Sequence, residues 1–157
     1  MFRELRRKKN AISMEETIQL LINEKRGVLS VNGENGYPYA IPVGFYYDQE
    51  VNKIYFHGSK VGYKVDCLKN DDKICFTVYG NEMYKEDWAP YLKSAIIFGK
   101  CHLIHDFDTT VKHVYKLAQK YYPNEEEIEK EIQKDIKGVQ LYEITIEHIC
   151  GKQIHER

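Results

Sequence analysis

The sequence predicts a mainly β fold of the α+β class, an antiparallel barrel of about six strands with short flanking helices. Six segments rich in β-branched and aromatic residues alternate apolar and polar positions, as strands do. Most of the connections between them are too short for crossover helices, which favours an antiparallel sheet over a doubly wound parallel one. Helical periodicity is confined to short stretches outside these segments.

The first of these stretches is a helix that begins after Ser13. Ser13 and Glu16 form a capping box, in which hydroxyl and carboxylate accept from each other's backbone amides. The apolar residues behind it keep helical spacing and predict a helix to about Lys25. They are Met14, Ile18, Leu21 and Ile22.

Two strands follow, separated by the tight-turn sequence "NGENG". The first is "GVLSV". The second, "YPYAIPVGFYY", is predicted to be continuous, with Pro38 and Pro42 sharing one face. Because proline has no amide hydrogen to donate, this strand is expected at an edge of the sheet, at a bulge, or against something other than a neighbouring strand. The opposite face carries Tyr39, Ile41, Val43 and Phe45.

The middle of the chain predicts three more strands and one short helix. The strands are "IYFHG", "KICFTVY" and "SAIIFGKCHLI", and a loop with Trp88, Pro90 and Tyr91 separates the last two. The helix follows "IYFHG" and is predicted to begin at Ser59 or Lys60. Its apolar stripe would be Val61, Val65 and Leu68.

The C-terminal third predicts two helices and a long strand. Asp108 is the predicted cap of the first helix, and Pro123 ends it. Asn124 and Glu127 offer a second capping box ahead of "EEEIEKEIQKDI", and Gly138 ends that helix. The last strand is "VQLYEITIEHICG".

Length and composition predict a single domain over residues 1–157, in the cytoplasm. The net charge of −1 argues against a general polyanion binder, although residues 3–9 form a basic arm that is either solvated or in contact with nucleic acid or a cofactor phosphate. No secretory or membrane-spanning segment is expected, and no nucleic acid or membrane partner. The four cysteines contain no Cys-x-x-Cys pair and are expected to be reduced.

Histidine and cysteine placement does not predict a metal site. His102 and His105 would face opposite sides of a strand, and His148 with Cys150 supplies only two ligands. No serine nucleophile elbow, H-E-x-x-H motif or evident general base is present.

The segment "YFHGSKVGYK", residues 55–64, is the strongest candidate for a ligand site. A helix beginning at Ser59 or Lys60 would place free amides and two lysines one turn apart on one side, an arrangement that a phosphate monoester would stabilise. The alternative is that Gly58 is a turn glycine and both lysines are solvated.

Four stretches together resemble the FMN-binding split β-barrel proteins, in the branch related to pyridoxamine 5′-phosphate oxidase that includes the nitroimidazole-resistance proteins. They are "RRKKNAISMEETIQLL", "RGVLSVNGENGYPYAIPVGFYY", "IYFHGSKVGYK" and "SAIIFGK", and the resemblance covers nearly the whole chain. The most specific parts are "GYPYAIPVGF" and "YFHGSKVGYK".

This resemblance implies a homodimer with FMN at the subunit interface. Pro42 and Val43 would lie against the isoalloxazine ring, and Lys64 would pair with the phosphate. Tyr91 and Ser94 would reach the flavin from the partner chain. The residues implied to bind FMN are Pro42, Val43, His57, Gly58, Ser59, Gly62, Tyr63, Lys64, Tyr91 and Ser94.

The resemblance also implies a flavin-dependent oxidoreductase, in which NADH or NADPH reduces FMN and a small electrophile, such as a nitroaromatic compound, is reduced in turn. His57 is the candidate catalytic hydrogen-bond donor, or else packs on the ribityl chain. The oxidases of this family hold their substrate with an arginine near the C-terminus. This chain instead ends in "CGKQIHER", where Lys152 is the nearest candidate cation. The difference puts pyridoxamine phosphate oxidation in doubt. The alternatives are a non-catalytic protein that stores or senses FMN, and a barrel that holds haem or a deazaflavin.

Overall fold

The computed structural model describes residues 1–155, which form seven strands and four α-helices. The strands are β1 (Arg26–Asn32), β2 (Pro38–Gly44), β3 (Tyr46–Asp48), β4 (Lys53–Ser59), β5 (Lys73–Tyr84), β6 (Pro90–Ile104) and β7 (Val139–His155). The helices are α1 (Met14–Asn23), α2 (Tyr63–Asn70), α3 (Phe107–Gln119) and α4 (Glu125–Asp135). None of these helices is long and apolar enough to cross a lipid bilayer.

All seven strands belong to one antiparallel sheet in the order β2-β1-β5-β6-β7-β4-β3, which confirms the predicted fold class. The sheet curls so that β2 approaches β4 without pairing with it, and this gap splits the barrel. Alternate residues fill the interior, where apolar burial stabilises the fold. Among the largest buried side chains there are Leu29, Phe45, Phe56, Phe76, Ile97 and Tyr142.

The prediction of one long strand over residues 37–47 was wrong, because Phe45 separates β2 from β3. The Phe45 amide donates to the Tyr121 hydroxyl at 2.8 Å, and its carbonyl accepts from Lys120 Nζ at 3.1 Å. These groups are therefore bonded to the chain just beyond α3 instead of a neighbouring strand. The prediction that β2 is an edge strand is confirmed, since it pairs only with β1.

Helix α3 covers the outer face of β3, β4 and β7, and this packing positions one wall of the site described below. Val114 and Leu117 pack on Tyr46, Tyr55 and Leu141. At the edge of this layer, Lys116 pairs with the buried Asp48 at 3.0 Å. The His113 ring stacks on Tyr55 at 3.9 Å, and its Nδ1 hydrogen-bonds the Tyr46 hydroxyl.

Side-chain caps fix the starts of α1, α3 and α4. The predicted cap is confirmed at α1 and α4 and was wrong at α3. The capping box of Ser13 and Glu16 is present at α1, and the Asn124 side chain caps α4 by accepting from the Glu127 amide. The cap of α3 is Asp106, not Asp108, because the Asp106 carboxylate accepts from both the amide and the hydroxyl of Thr109. The predicted boundary was therefore two residues late.

Candidate functional site

A cleft of about 540 Å³ opens where the barrel is split. Strands β2 and β4 form one wall, and α3, α4 and the segment after α4 form the other. Four residues predicted from the sequence line it together, namely Pro42, Val43, His57 and Lys64. The apolar wall opposite them includes Val114, Leu117, Ala118, Ile128, Ile132 and Ile136.

Lys64 provides an ammonium group without a counter-ion in this cleft. Its Nζ lies 4.7 Å from the centre of the Tyr142 ring and 5.6 Å from that of Phe56. None of the ion pairs formed within residues 1–155 involves it. Burial lowers the pKa of Lys64, because a half-buried ammonium has lost part of its hydration. An anion bound here would supply the missing negative charge.

Gly58 makes room for this lysine. A Cβ at position 58 would lie 2.9 Å from Lys64 Nζ, closer than side chains tolerate. Because Gly58 has no side chain, the ammonium can lie directly over the backbone of β4. A side chain at position 58 would therefore displace the ammonium from this place, although the flexible lysine could move aside.

The N-terminus of α2 adds unpaired donors beside Lys64. The cap residue, Gly62, has φ +133° and no side chain, so it offers no hydrogen bond to the first amides of the helix. Those amides belong to Tyr63 and Lys64. A helix N-terminus also carries a partial positive charge, which favours an anion at this position.

The predicted start of α2 at Ser59 or Lys60 was wrong, because the positive φ of Gly62 delays the helix to Tyr63. Ser59 instead forms a turn in which its Oγ accepts from the Val61 amide at 3.2 Å. Lys60 lies in this turn and does not line the cleft, so the two lysines are not one helical turn apart. Val61 is 78% exposed and is not part of the apolar stripe of α2.

His57 lies on the outer face of β4, with its ring at the cleft and one side open to solvent. Surrounding protein and the Lys64 ammonium lower the pKa of His57 below its usual value. The imidazole is therefore neutral at pH 7, and one ring nitrogen carries a hydrogen that it can donate.

Arg26 and Tyr121 line the cleft as well, and the sequence analysis did not select them. The Arg26 guanidinium lies 5.2 Å from the centre of the Tyr121 ring, and both side chains approach Gly44. A charged residue at the start of a strand and a tyrosine at the end of a helix are common, so the sequence gives no signal that separates these two from ordinary surface residues.

The other predicted site residues lie elsewhere in the chain. Tyr91 and Ser94 belong to β6, where Ser94 is buried opposite Lys152, and Tyr91 stacks on His155 at 4.1 Å. Tyr91 is thus in a strand, not in the predicted loop. The Tyr63 side chain turns away from the cleft, since its hydroxyl accepts from the Glu34 amide at 3.1 Å.

Residues 1–155 contain no cluster of three or more histidine, cysteine, aspartate or glutamate side chains that could hold a metal ion. The cleft is lined by the cations Arg26 and Lys64, the neutral imidazole of His57, an apolar wall, and the carboxylates of Glu131 and Asp135. Such a set can hold an anionic, partly apolar ligand.

The family model described as pyridoxamine 5′-phosphate oxidase matches residues 13–153 of the sequence. No curated protein matches significantly. Solved structures share the fold at identities below 20%. A candidate 5-nitroimidazole antibiotic resistance protein from Bacteroides thetaiotaomicron has a TM-score of 0.79 and 16% identity, over 92% of this chain and 87% of that chain.

Two further solved structures are of similar closeness. A flavocytochrome from Azotobacter vinelandii has a TM-score of 0.75 and 19% identity, over 96% of this chain and 72% of that chain. An FAD- and haem-binding protein from Mycobacterium smegmatis has a TM-score of 0.73 and 18% identity, over 92% of this chain and 73% of that chain.

Proposed function

Because the chain belongs to the pyridoxamine 5′-phosphate oxidase family, we propose that it is a flavoprotein that binds FMN in the split of the barrel and acts as a flavin-dependent oxidoreductase. The observation that carries this proposal is Lys64, a half-buried ammonium without a counter-ion over Gly58, at the N-terminus of α2. A phosphate monoester fits both the charge and the free amides.

In this proposal the phosphate of FMN accepts hydrogen bonds from Lys64 Nζ and from the backbone amides of Tyr63 and Lys64, which follow the cap residue Gly62. The Ser59 hydroxyl accepts from Val61 and keeps its own hydrogen for the phosphate. Residues 57 and 58 line the ribityl path, and Pro42 and Val43 contact the isoalloxazine ring. The missing amide of Pro42 costs nothing there, since β2 has no further strand to pair with.

The names of similar structures support a flavin but not the choice between flavins. One neighbour is a flavocytochrome and another is named for FAD and haem. An unpaired lysine at a helix N-terminus favours a ligand with a phosphate, which haem lacks. Flavin nucleotide is therefore the occupant that the cleft favours over haem.

We place the second subunit of a homodimer on the outer face of β2, β1, β5, β6 and β7. The central paired positions of these strands carry no lysine, arginine, aspartate or glutamate, and all of them except His148 are small or apolar. Ile96 and Phe98 are 36% and 37% exposed at the centre of this face. The Phe2 ring of the same chain stacks on Phe98 and His148. A second copy would bury this face and bring its own Tyr91 and Ser94 towards the flavin. The face consists of Val28, Ser30, Ala40, Pro42, Cys75, Thr77, Ile96, Phe98, His148 and Cys150.

The proposed activity is transfer of two electrons from NADH or NADPH to a small electrophile such as a nitroaromatic compound, with FMN supplying the redox chemistry when bound. His57 is the proposed donor to the reacting group, because its neutral imidazole can stabilise negative charge as it develops. Lys152 is the proposed cation for an anionic substrate, supplied across the interface.

The test begins with the absorption spectrum of the protein loaded with FMN, followed by anaerobic addition of NADH or NADPH and then of a nitroaromatic compound. The expected result is bleaching of the flavin band by the nicotinamide, and recovery over many turnovers when the nitro compound is added. In His57→Ala that retains FMN, we expect reoxidation to slow about tenfold or more.

Other spectra or kinetics contradict specific parts of the proposal. A haem spectrum, or no flavin binding, contradicts the cofactor. Tight FMN binding without reduction by either nicotinamide indicates a protein that stores or senses FMN. Turnover that is unchanged in His57→Ala assigns His57 to packing on the ribityl chain.

A further inference from the structure

A second cleft, of about 370 Å³, lies at the end of the barrel beside the first. Its lining includes three lysines and a histidine but no aspartate or glutamate. The lysines come from three different segments, namely the turn before α2, the end of α2 and the turn after α4. They are Lys60, Lys69 and Lys137, and the histidine is His105.

Within residues 1–155, none of these three lysines forms an ion pair. The ion pairs within residues 1–155 engage other lysines, none of which lines this cleft. The acidic residue next to His105 in the chain is Asp106, whose carboxylate is held by Thr109 in the cap of α3. The protein as a whole has a net charge of −1, so this concentration of positive charge is local. A bound polyanion would remove the repulsion among the lysines.

The rest of the lining is suited to a flat, partly apolar group. Leu103, Ile104 and Val139 form an apolar floor, and the Phe107 ring is 56% exposed at the side. An exposed aromatic ring next to cations is the combination that holds a nucleobase and its phosphate, through stacking and charge. The polar side chain of Gln140 is occupied by the carbonyls of Ile104 and Leu141.

The two clefts adjoin, because Ile136 and Val139 line both of them. Lys60 of the second cleft and Lys64 of the first belong to the same turn and helix start. A ligand whose phosphate lies at Lys64 therefore has that phosphate next to the turn before α2, and this turn carries Lys60 of the second cleft.

We propose that the second cleft is a subsite for an adenosine phosphate group, next to the phosphate end of the flavin cleft. One source of this group is the AMP half of FAD, joined to the phosphate at Lys64. The other is the adenosine bisphosphate of NADPH as it reduces the flavin. This assignment rests on the proposed function, because it takes the first cleft to hold a flavin phosphate. Binding to the subsite can nevertheless be tested without a flavin.

The direct test is calorimetric titration of the protein without flavin with 2′,5′-ADP, which carries the adenosine bisphosphate alone. The variant is Lys60→Ala/Lys69→Ala/Lys137→Ala. The control variant, Lys73→Ala/Lys130→Ala/Lys134→Ala, removes the same charge from exposed positions outside both clefts. We expect binding to weaken by about tenfold or more in the first variant and to be unchanged in the control. No binding to the wild type, or equal losses in both variants, would overturn the subsite.

Two further titrations identify the source of the group. If it is FAD, the wild type binds FAD about tenfold more tightly than FMN, and the cleft variant binds the two flavins equally. If it is NADPH, the wild type prefers NADPH to NADH in kcat/KM, and the cleft variant loses this preference. FMN affinity is expected to be the same in all three proteins, so failure of the flavin site and failure of the subsite give different results.

Discussion

At the scale of single residues, the proposed flavin site depends on Lys64 and on how its position differs from that of Lys60. Both lysines stand in the same basic, glycine-rich segment, and the sequence alone treats them alike. The structure separates them, because Lys64 lies over two aromatic rings in the cleft and Lys60 lies in the exposed turn outside it.

We expect Lys64→Ala to weaken FMN binding by about 1.5–3 kcal/mol, the free energy of a charge-assisted hydrogen bond, or roughly tenfold to 150-fold. Riboflavin lacks the phosphate and should bind the wild type and the variant equally. Fluorescence titration with both flavins measures the difference. Lys60→Ala is the matched control and should leave the affinity for FMN unchanged. Equal losses for FMN and riboflavin would show that Lys64 does not bind phosphate.

The pKa of Lys64 gives a prediction for pH. Burial lowers this pKa in the free protein, and a bound phosphate raises it again. Between the two pKa values binding takes up a proton, so the affinity for FMN should fall as pH rises through that window. At pH values below the pKa of Lys64 in the free protein, Lys64 is charged with or without FMN. In that range it therefore does not make the affinity for FMN depend on pH.

The measurement is the dissociation constant of FMN from pH 7.5 upwards, with riboflavin as the control for titration of the flavin ring. Lys64→Arg should remove the slope, because arginine stays charged throughout this range. A slope that persists in Lys64→Arg would assign the titration to another group.

At the scale of elements, the end of α3 holds the cleft together. The Tyr121 hydroxyl accepts from the Phe45 amide at 2.8 Å and also hydrogen-bonds the carbonyl of Lys25. Lys120 donates to carbonyls near the end of α1 and to that of Phe45. These bonds join the helical wall of the cleft to the corner where β2 ends.

We expect Tyr121→Phe to lower the free energy of unfolding by about 1–3 kcal/mol, because the amide of the buried Phe45 loses its acceptor. Urea unfolding measures this loss. The matched control is Tyr122→Phe, since Tyr122 is 42% exposed and its hydroxyl forms no hydrogen bond within residues 1–155. That change should stay within about 0.5 kcal/mol. Equal effects of the two substitutions would show that the hydrogen bond between the Phe45 amide and the Tyr121 hydroxyl adds little stability.

The sequence predicted most elements, and it failed at the break between β2 and β3, which a distant side chain decides, and at the starts of α2 and α3, where it selected the wrong cap residue. Alternation and turn residues located the strands, since these signals are local. The break at Phe45 depends on Tyr121, which is 76 residues away, and no local pattern reports it. The late start of α2 depends on the φ of Gly62, and glycine is also common in turns that do not cap a helix.

At the scale of the whole molecule, the outer sheet face and the cleft meet at β2. Pro42 lines the cleft and also lies on the uncharged face, opposite Val28 of β1. Four residues that line the flavin cleft, Pro42, Val43, His57 and Lys64, were predicted from the two sequence segments that contain them. The contributions of Tyr91 and Ser94, which the resemblance implies, stay a prediction, because they need a second chain and neither residue lines the cleft within one.

If the flavin lies between two chains, the cofactor and the dimer are thermodynamically linked. We expect sedimentation at micromolar concentration to show a dimer that FMN tightens. Ile96→Lys places a charge at the centre of the face, and it should dissociate the dimer and weaken FMN binding together. Val51→Lys adds the same charge at an exposed position in the β3–β4 turn, and it should change neither. A monomer that binds FMN stoichiometrically would contradict an interface site.

The most direct test of the central claim is a crystal structure of the protein with FMN bound. We predict that the phosphate lies within hydrogen-bonding distance of Lys64 Nζ and of the first amides of α2. We also predict that the isoalloxazine ring lies against Pro42 and Val43, in the split between β2 and β4. A phosphate bound away from Lys64, or a flavin outside this cleft, would contradict the proposed flavin site.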